Sequence, residues 1–148
     1  MGESKEYYYS LVASILNSLS LNISVSIESH FPGNRNIGGK YCLKTDTITM
    51  YLEEIKDQCR SVLGSEERLV DYFKVILAHE LGHSEDRDLE DLAIRKYKAK
   101  SNYEKHQLAL GIEENAWNYA KQVLPELLPL IQVIQNHSMK IYVNRHTG

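Results

Sequence analysis

The N-terminal part of the chain changes from helical to strand-like periodicity. Between residues 5 and 20, apolar side chains recur at three- and four-residue intervals, which predicts an amphipathic helix. Ile23, Val25 and Ile27 then alternate with serines, the period of a half-buried strand. Residues 30–40 hold Pro and several Gly and Asn residues, so we expect a loop there.

A pair of strands should follow that loop. The segment from Lys40 onward offers a short strand, a polar turn, and a strand with Ile48, Met50 and Leu52 on one face, which predicts a hairpin. A short helix is expected over residues 53–60, with Gly64 after its end.

The most apolar helix is predicted directly after Gly64. Ser65 is a suitable N-cap, and the glutamates at positions 66 and 67 would favour the positive end of the helix dipole. Apolar residues occupy nearly every side of this segment as far as Leu81. We therefore expect the helix to run through the centre of the domain.

The C-terminal half is predicted to be mainly helical. A charged segment favours a surface helix, and Ser101 with Glu104 forms a capping-box pattern that starts another helix. Pro125 and Pro129 interrupt it, and a last apolar helix precedes residues 140–143, which we interpret as a closing strand.

Composition limits the class of protein. With 148 residues, 43% apolar and 25% charged, the chain is expected to form a single domain, residues 1–148. The expected fold class is α+β, mostly helical, with a small sheet packed beside the central helix. No apolar run approaches the ~20 residues that span a bilayer, so no membrane segment is expected.

The net charge and the cysteine content limit the classes of binding partner and the cellular compartments that we expect. The net charge is −3 and there is no run of Lys or Arg, so we do not expect direct nucleic-acid binding. Cys42 and Cys59 form no CxxC pair, and the N-terminus does not resemble an export or myristoylation signal. These features favour reduced thiols and a cytoplasmic protein.

The motif "HELGH" places potential metal-binding and catalytic side chains on the central helix. His79 and His83 are separated by ~400° of rotation and ~6 Å of rise, so they project from one face. Glu80 is turned ~100° from His79, where it can hold a metal-bound water without being a ligand. Three such polar groups in an apolar helix are costly without a partner. The pattern predicts a zinc site that lacks one protein ligand.

The missing ligand has three potential sources in the sequence. A third histidine six residues after His83 is excluded, because that position is Leu89. Asp86 and Asp88 are possible ligands, although they lie in a charged stretch typical of a solvated turn. The remaining source is a glutamate on the second long helix, either Glu113 or Glu114.

The neighbours of the two glutamates favour the first. Glu113 lies on a face with the small residues Ala109, Ala116 and Ala120, where two helices can approach closely. Glu114 has bulkier and more polar neighbours, including Trp117. We therefore expect Glu113 to be the third ligand, with Glu114 as the alternative.

"HELGH" followed thirty residues later by "EENAWNYA" resembles the gluzincins, zinc peptidases that take their third ligand from a second helix. More narrowly, the chain resembles the ImmA/IrrE-type metallopeptidases over about residues 38–125. Trp117 stands where that family usually has Asn, and the stretch before Pro125 is one residue short. The matching positions are Gly38-Gly39-Lys40-Tyr41, Thr47 to Leu52, Glu113, Ala116, Tyr119, Ala120 and Pro125.

The resemblance implies a minimal zincin fold in which His79, His83 and Glu113 bind Zn²⁺ and Glu80 is the catalytic base. It also implies an endopeptidase with a specific protein substrate, such as a helix-turn-helix repressor. Two alternatives stay open: a zinc-stabilised protein-binding module without catalysis, and a toxin-like protease with another target.

Two further features of such a peptidase have candidates in the sequence. The segment "TITMYL", residues 47–52, is the expected edge strand for an extended substrate. A donor is also needed for the oxyanion of the transition state. The candidates are Tyr103, His106, Tyr119 and His137.

Overall fold

The computed structural model describes residues 4–147, with the side chains of residues 4–140. It contains six α-helices, one 3₁₀ turn and three strands within those residues. In chain order they are α1 (Lys5–Ser18), β1 (Ser24–Glu28), β2 (Gly39–Cys42), β3 (Thr47–Tyr51), α2 (Leu52–Leu63), α3 (Leu69–Ser84), α4 (Leu89–Lys98), α5 (Asn102–Val123), the 3₁₀ turn (Pro125–Leu127) and α6 (Leu128–Thr147).

The expected α+β fold is confirmed, but the order of the strands differs from the prediction. The sheet has the order β1-β3-β2, with β3 parallel to β1 and antiparallel to β2. Residues 47–51 are therefore the central strand, and the expectation of an edge strand there is wrong. Ile48 and Met50 are fully buried, as suits a strand with neighbours on both sides. The edge strands are β1 and β2.

α3 is the central helix that the apolar pattern predicts. Most of its residues from Leu69 to Gly82 are buried, on nearly every side. Its start differs from the prediction, because the helix begins at Leu69 with Arg68 at the N-cap position. The Ser65 hydroxyl accepts a hydrogen bond from the N–H of Glu67 at 3.3 Å, which stabilises a local turn instead of capping the helix.

The helices α1 and α2 complete the core around α3. The ring of Tyr8 in α1 packs on Phe73 in α3, with 4.7 Å between ring centroids. α2 begins at Leu52, earlier than predicted, and ends at Gly64, whose φ of +83° is the left-handed conformation typical of a helix C-terminus.

Of the two predictions for the region of α5 and α6, one is confirmed and one is wrong. The Ser101 hydroxyl accepts a hydrogen bond from the N–H of Glu104 at 3.1 Å, so α5 starts as the capping-box pattern predicts. The closing strand at residues 140–143 is absent, because α6 continues through them. No Gly or Pro follows Pro129 within this helix, so the local sequence does not interrupt it.

Within residues 4–147, none of the helices is both long and apolar enough to cross a membrane.

Candidate metal centre

The site is formed where α5 crosses α3 at very short range. A Cβ atom added to Gly82 would lie 2.5 Å from the carbonyl oxygen of Ala116 and 2.7 Å from its Cα. Only glycine at position 82 permits this approach of the two backbones. Ala109, Ala116 and Ala120 are all buried, in agreement with the seam of small residues expected from the sequence.

This crossing turns Glu113 toward the two histidines. Its Oε2 atom lies 3.0 Å from Nε2 of His83, and its Oε1 atom lies 3.5 Å from Nε2 of His79. Ligand atoms that share one tetrahedral zinc at ~2.0–2.1 Å are separated by ~3.3 Å, so both distances suit a common ion. Glu114, the next residue of α5, is exposed.

The Nε2 atom of His79 is the strongest sign that this cluster accommodates an ion. It is fully buried, and no described group forms a hydrogen bond with it. The 3.5 Å to Glu113 is an ion-pair contact and too long for a good hydrogen bond. Because buried polar atoms are nearly always satisfied, a metal at this position would supply the missing partner. The residues present therefore fit zinc.

Glu80 lies beside the three proposed ligands in a different role. Its Oε2 atom is 3.1 Å from Nδ1 of His79, and the residue is only 6% exposed. A hydrogen bond from Nδ1–H orients the imidazole and leaves the Nε2 lone pair for a metal. His79, Glu80 and His83 do have ligand atoms within 4.8 Å of one another. The carboxylate of Glu113, however, faces Nε2 of both histidines, so it is better placed than Glu80 to be a third ligand.

Even without a metal ion, the imidazole of His79 and the carboxylates of Glu80 and Glu113 stabilise one another in their charged forms. Burial alone would lower the pKa of His79, but the nearby carboxylates of Glu80 and Glu113 raise it from 6.5 to about 10. Burial alone would raise the pKa of Glu113, but its contacts with His79 and His83 lower it far below its ordinary value. A cation is thus favoured between these carboxylates.

The cluster opens into a cleft of about 380 Å³. His79, Glu80 and Glu113 line its floor, and the loop before β2 and residues of α6 line its walls. A Cβ atom added to Gly39 would lie 3.0 Å from Cγ of Glu80, so the first residue of β2 lies directly against that glutamate. The edge strand beside the site is therefore β2.

The aspartates considered as ligands are engaged elsewhere. Asp86 accepts hydrogen bonds from the N–H of Asp88 at 2.9 Å and from Nδ2 of Asn115 at 3.2 Å. Both aspartates line a separate depression, and Asp88 is the residue before α4. Asp86 and Asp88 therefore belong to the turn that the charged stretch of the sequence indicates.

Of the four candidates for the oxyanion donor, only His137 lines the cleft. Tyr103 is 75% exposed in the first turn of α5. Tyr119 lines the depression that contains Asp86, and His106 is not among the residues of the cleft. The structure therefore brings His137 of α6 to the side of the cluster, which no spacing in the sequence indicates.

The position of Trp117 differs from the expectation. We assigned this residue to the surface around Glu114, but it is 1% exposed and its ring packs on His79. A signal was present, because Trp117 follows Glu113 by four residues and so shares its face of α5.

Comparison of the chain with models of protein families, with curated proteins and with solved structures found no match.

Proposed function

We propose that this chain is a zinc-dependent endopeptidase of the ImmA/IrrE type, with His79, His83 and Glu113 as zinc ligands. One observation carries the proposal: Nε2 of each histidine faces the Glu113 carboxylate at the floor of an open cleft, with Glu80 adjacent. A structural zinc site is normally closed by four protein ligands. Three ligands in a cleft, beside a buried carboxylate, suit catalysis better.

Zinc bound there supplies a Lewis acid that polarises the scissile carbonyl and lowers the pKa of a water molecule. Glu80 acts as the general base, which takes a proton from the attacking water and passes it to the leaving amine. One of its oxygens accepts the hydrogen bond from His79, while Oε1 has no partner among the described residues. That second oxygen is available for the water.

His137 is the proposed donor to the oxyanion that develops on the scissile carbonyl. It lines the cleft together with His79 and Glu80, but it belongs to α6 and not to the ligand helices. At this position His137 can donate to the negative charge that develops on the carbonyl oxygen in the transition state.

The edge strand β2 is the proposed binding strand for an extended peptide. Its partner β3 pairs with only one of its edges, so the other edge retains backbone groups that can pair with a substrate. Gly39 at its start lies against Glu80, which would bring a bound backbone to the catalytic base.

The substrate class follows from the resemblance alone, and a helix-turn-helix repressor is the first candidate. We further propose a cytoplasmic location. The free thiols of Cys42 and Cys59 support it, because such thiols are typical of a reducing compartment.

Metal analysis and peptide cleavage on the same preparation test this proposal. We expect about one zinc per chain and cleavage of a peptide library or of a candidate repressor, with fragments identified by mass. The Glu80→Gln variant should retain zinc and lose cleavage. A protein-binding module would instead bind its partner equally well in both forms and cut in neither, and a protein that takes up no zinc would contradict the proposal.

A further inference from the structure

The wall of the cleft beside β2 carries one unpaired positive charge, the side chain of Arg35. Among the residues around the cleft whose side chains the structure describes, it is the only Lys or Arg. Arg60, by comparison, is paired with Asp57 and Glu66, and Arg68 is paired with Asp71. Arg35 forms no ion pair within the part of the chain that the structure describes. Its guanidinium is therefore free to bind an anion.

The loop that carries Arg35 is fixed by α2 on both sides of it. The carboxylate of Glu54 is buried and accepts a hydrogen bond from the N–H of Phe31. Further along, Nε2 of Gln58 donates to the carbonyl oxygen of Asn36 at 3.0 Å. With both flanks anchored, Arg35 is held at the cleft without the full entropic cost of ordering a loop on binding.

The carboxylates of the cleft leave this charge uncompensated. Glu113 is in contact with His79 and His83, and Glu80 is in contact with His79. None of them is paired with Arg35. A substrate group that neutralises Arg35 would therefore not compete with the ligands of the proposed metal.

The direction of β2 indicates which part of a substrate reaches Arg35. Gly39 lies against Ile76 and Glu80. The loop residues before Gly39 line the cleft together with Tyr72, in the first half of α3, so β2, which packs on α3, extends from Gly39 in the other direction. β2 therefore follows α3 toward its C-terminal end, and the loop of Arg35 lies at the opposite end of the cleft.

A peptide that pairs antiparallel with β2 runs against this direction. Its residues before the scissile bond then lie beside Tyr41, and those after it lead toward Arg35, Tyr72 and Ile134. Tyr72 and Ile134 are almost fully buried and line the same cleft as the arginine. This end of the cleft thus combines an apolar wall with one cation.

We propose that Arg35 is a specificity-determining residue that binds a carboxylate on the C-terminal side of the scissile bond. The inference rests on the proposed peptidase function. The carboxylate has two possible sources, an Asp or Glu side chain or the C-terminal carboxylate of the substrate. A planar guanidinium binds either through paired hydrogen bonds.

Cleavage of a peptide library by the zinc-loaded protein tests this inference and separates the two sources. We expect Asp or Glu to be enriched after the cut, or cuts close to a free C-terminus. Four matched peptides then carry Glu or Gln at the selected position, each with a free acid or an amide at its C-terminus. The preferred carboxylate should raise kcat/KM by about tenfold, at the low end of the effect of a hydrogen bond to a charged group.

Charge variants connect this preference to the arginine. In Arg35→Gln the ratio of kcat/KM between charged and neutral peptides should fall to about one, and in Arg35→Glu it should invert. Arg87 is also exposed and lines the separate depression beside Asp86, so Arg87→Gln is the matched control and should keep the wild-type ratio. Because each ratio is measured within one variant, partial loss of folded protein cancels.

Two negative results are distinguishable. If the wild-type protein cuts no peptide, both the peptidase function and the role of Arg35 are wrong. If it cuts peptides without a preference for a carboxylate, or if Arg35→Glu keeps the wild-type ratio, only the role of Arg35 is wrong.

Discussion

The indole ring of Trp117 lies against the imidazole ring of His79, with 4.3 Å between ring centroids and 31° between ring planes. Trp117 is the only tryptophan in the chain and is 1% exposed. Its fluorescence therefore reports on one proposed zinc ligand. The contact also restricts the imidazole plane, so Trp117 is a positioning residue for His79.

Metal binding should change the fluorescence of Trp117. Adding one equivalent of Co²⁺, which occupies similar sites and quenches nearby fluorophores, should strongly decrease the emission, and zinc should reverse the effect by competition. In His79→Ala the decrease should be much smaller. An emission unchanged by stoichiometric metal, at concentrations where metal analysis finds it bound, would place the metal elsewhere.

Loss of the ring contact should weaken the site without removing a ligand. We expect Trp117→Leu to reduce zinc affinity by about tenfold, within the 10–100-fold range for groups that orient metal ligands. Competition with a chromophoric chelator measures the change. An affinity equal to that of the wild type would show that the stack does not position His79.

The contact between Gly82 and Ala116 predicts a steric effect. In Gly82→Ala, the new methyl group would lie 2.5 Å from the Ala116 carbonyl oxygen, so α3 and α5 must separate. We expect a loss of ~1–3 kcal/mol in the free energy of unfolding, as for other overpacked cores, together with weaker zinc binding.

Gly111 provides the matched control for this substitution. It also lies in a long helix, α5, but a Cβ atom added there has no neighbour within 4 Å. Gly111→Ala should therefore raise the free energy of unfolding by roughly 0.5–1 kcal/mol through helix propensity. Denaturant unfolding of the metal-free proteins compares both. Equal effects at the two positions would contradict the close crossing.

The two adjacent glutamates should differ sharply in zinc binding. Glu113→Ala removes a carboxylate that lies 3.0 Å from His83, so we expect zinc affinity to fall by more than the roughly 10–100-fold typical of outer-shell groups. Glu114 is exposed, and Glu114→Ala should change the affinity little. Chelator competition measures both. A larger loss at Glu114 would mean that the other glutamate is the ligand.

Glu80→Gln should separate binding of the metal from catalysis. Glutamine retains the size and hydrogen-bonding capacity of the side chain but not the base, so zinc content should stay the same while peptide hydrolysis falls by at least ~100-fold. Zinc content and turnover are measured on the same samples. Full activity in this variant, with a peptide that the wild-type protein cuts, would exclude Glu80 as the base.

His137→Ala should lower kcat with little effect on zinc content. The expected loss is ~100–1,000-fold, the range for removal of one oxyanion donor. Tyr119→Phe is the control, since Tyr119 lies outside the cleft and its variant should retain kcat. If Tyr119→Phe lost activity and His137→Ala did not, the donor would be misassigned.

The sequence alone predicted the features that depend on spacing within one element. His79 and His83 share a face because they are four residues apart in a helix, and the small residues around Ala116 marked where a second helix could approach. The same seam favoured Glu113 over Glu114, and the structure brings Glu113 to the histidines. Its role as a ligand remains a prediction.

The errors concern features for which local pattern is insufficient. Alternation identified β3 as a strand but not its neighbours, so an edge position was predicted for a central strand. Ser65 has the composition of an N-cap, yet its hydroxyl stabilises a turn before α3. Residues 140–143 resemble a strand, but they continue α6, and the sheet in residues 4–147 consists of β1, β2 and β3 alone.

The sequence by itself determined the helix that presents His79 and His83, because the rotation per residue fixes which side chains share a face. Only the tertiary structure decided which distant side chains surround them: Trp117 against His79, and Arg35 and His137 at the cleft. Contacts between elements depend on how buried surfaces pack and how loops are anchored. The local periodicity of a single sequence does not specify the distances between residues of different elements.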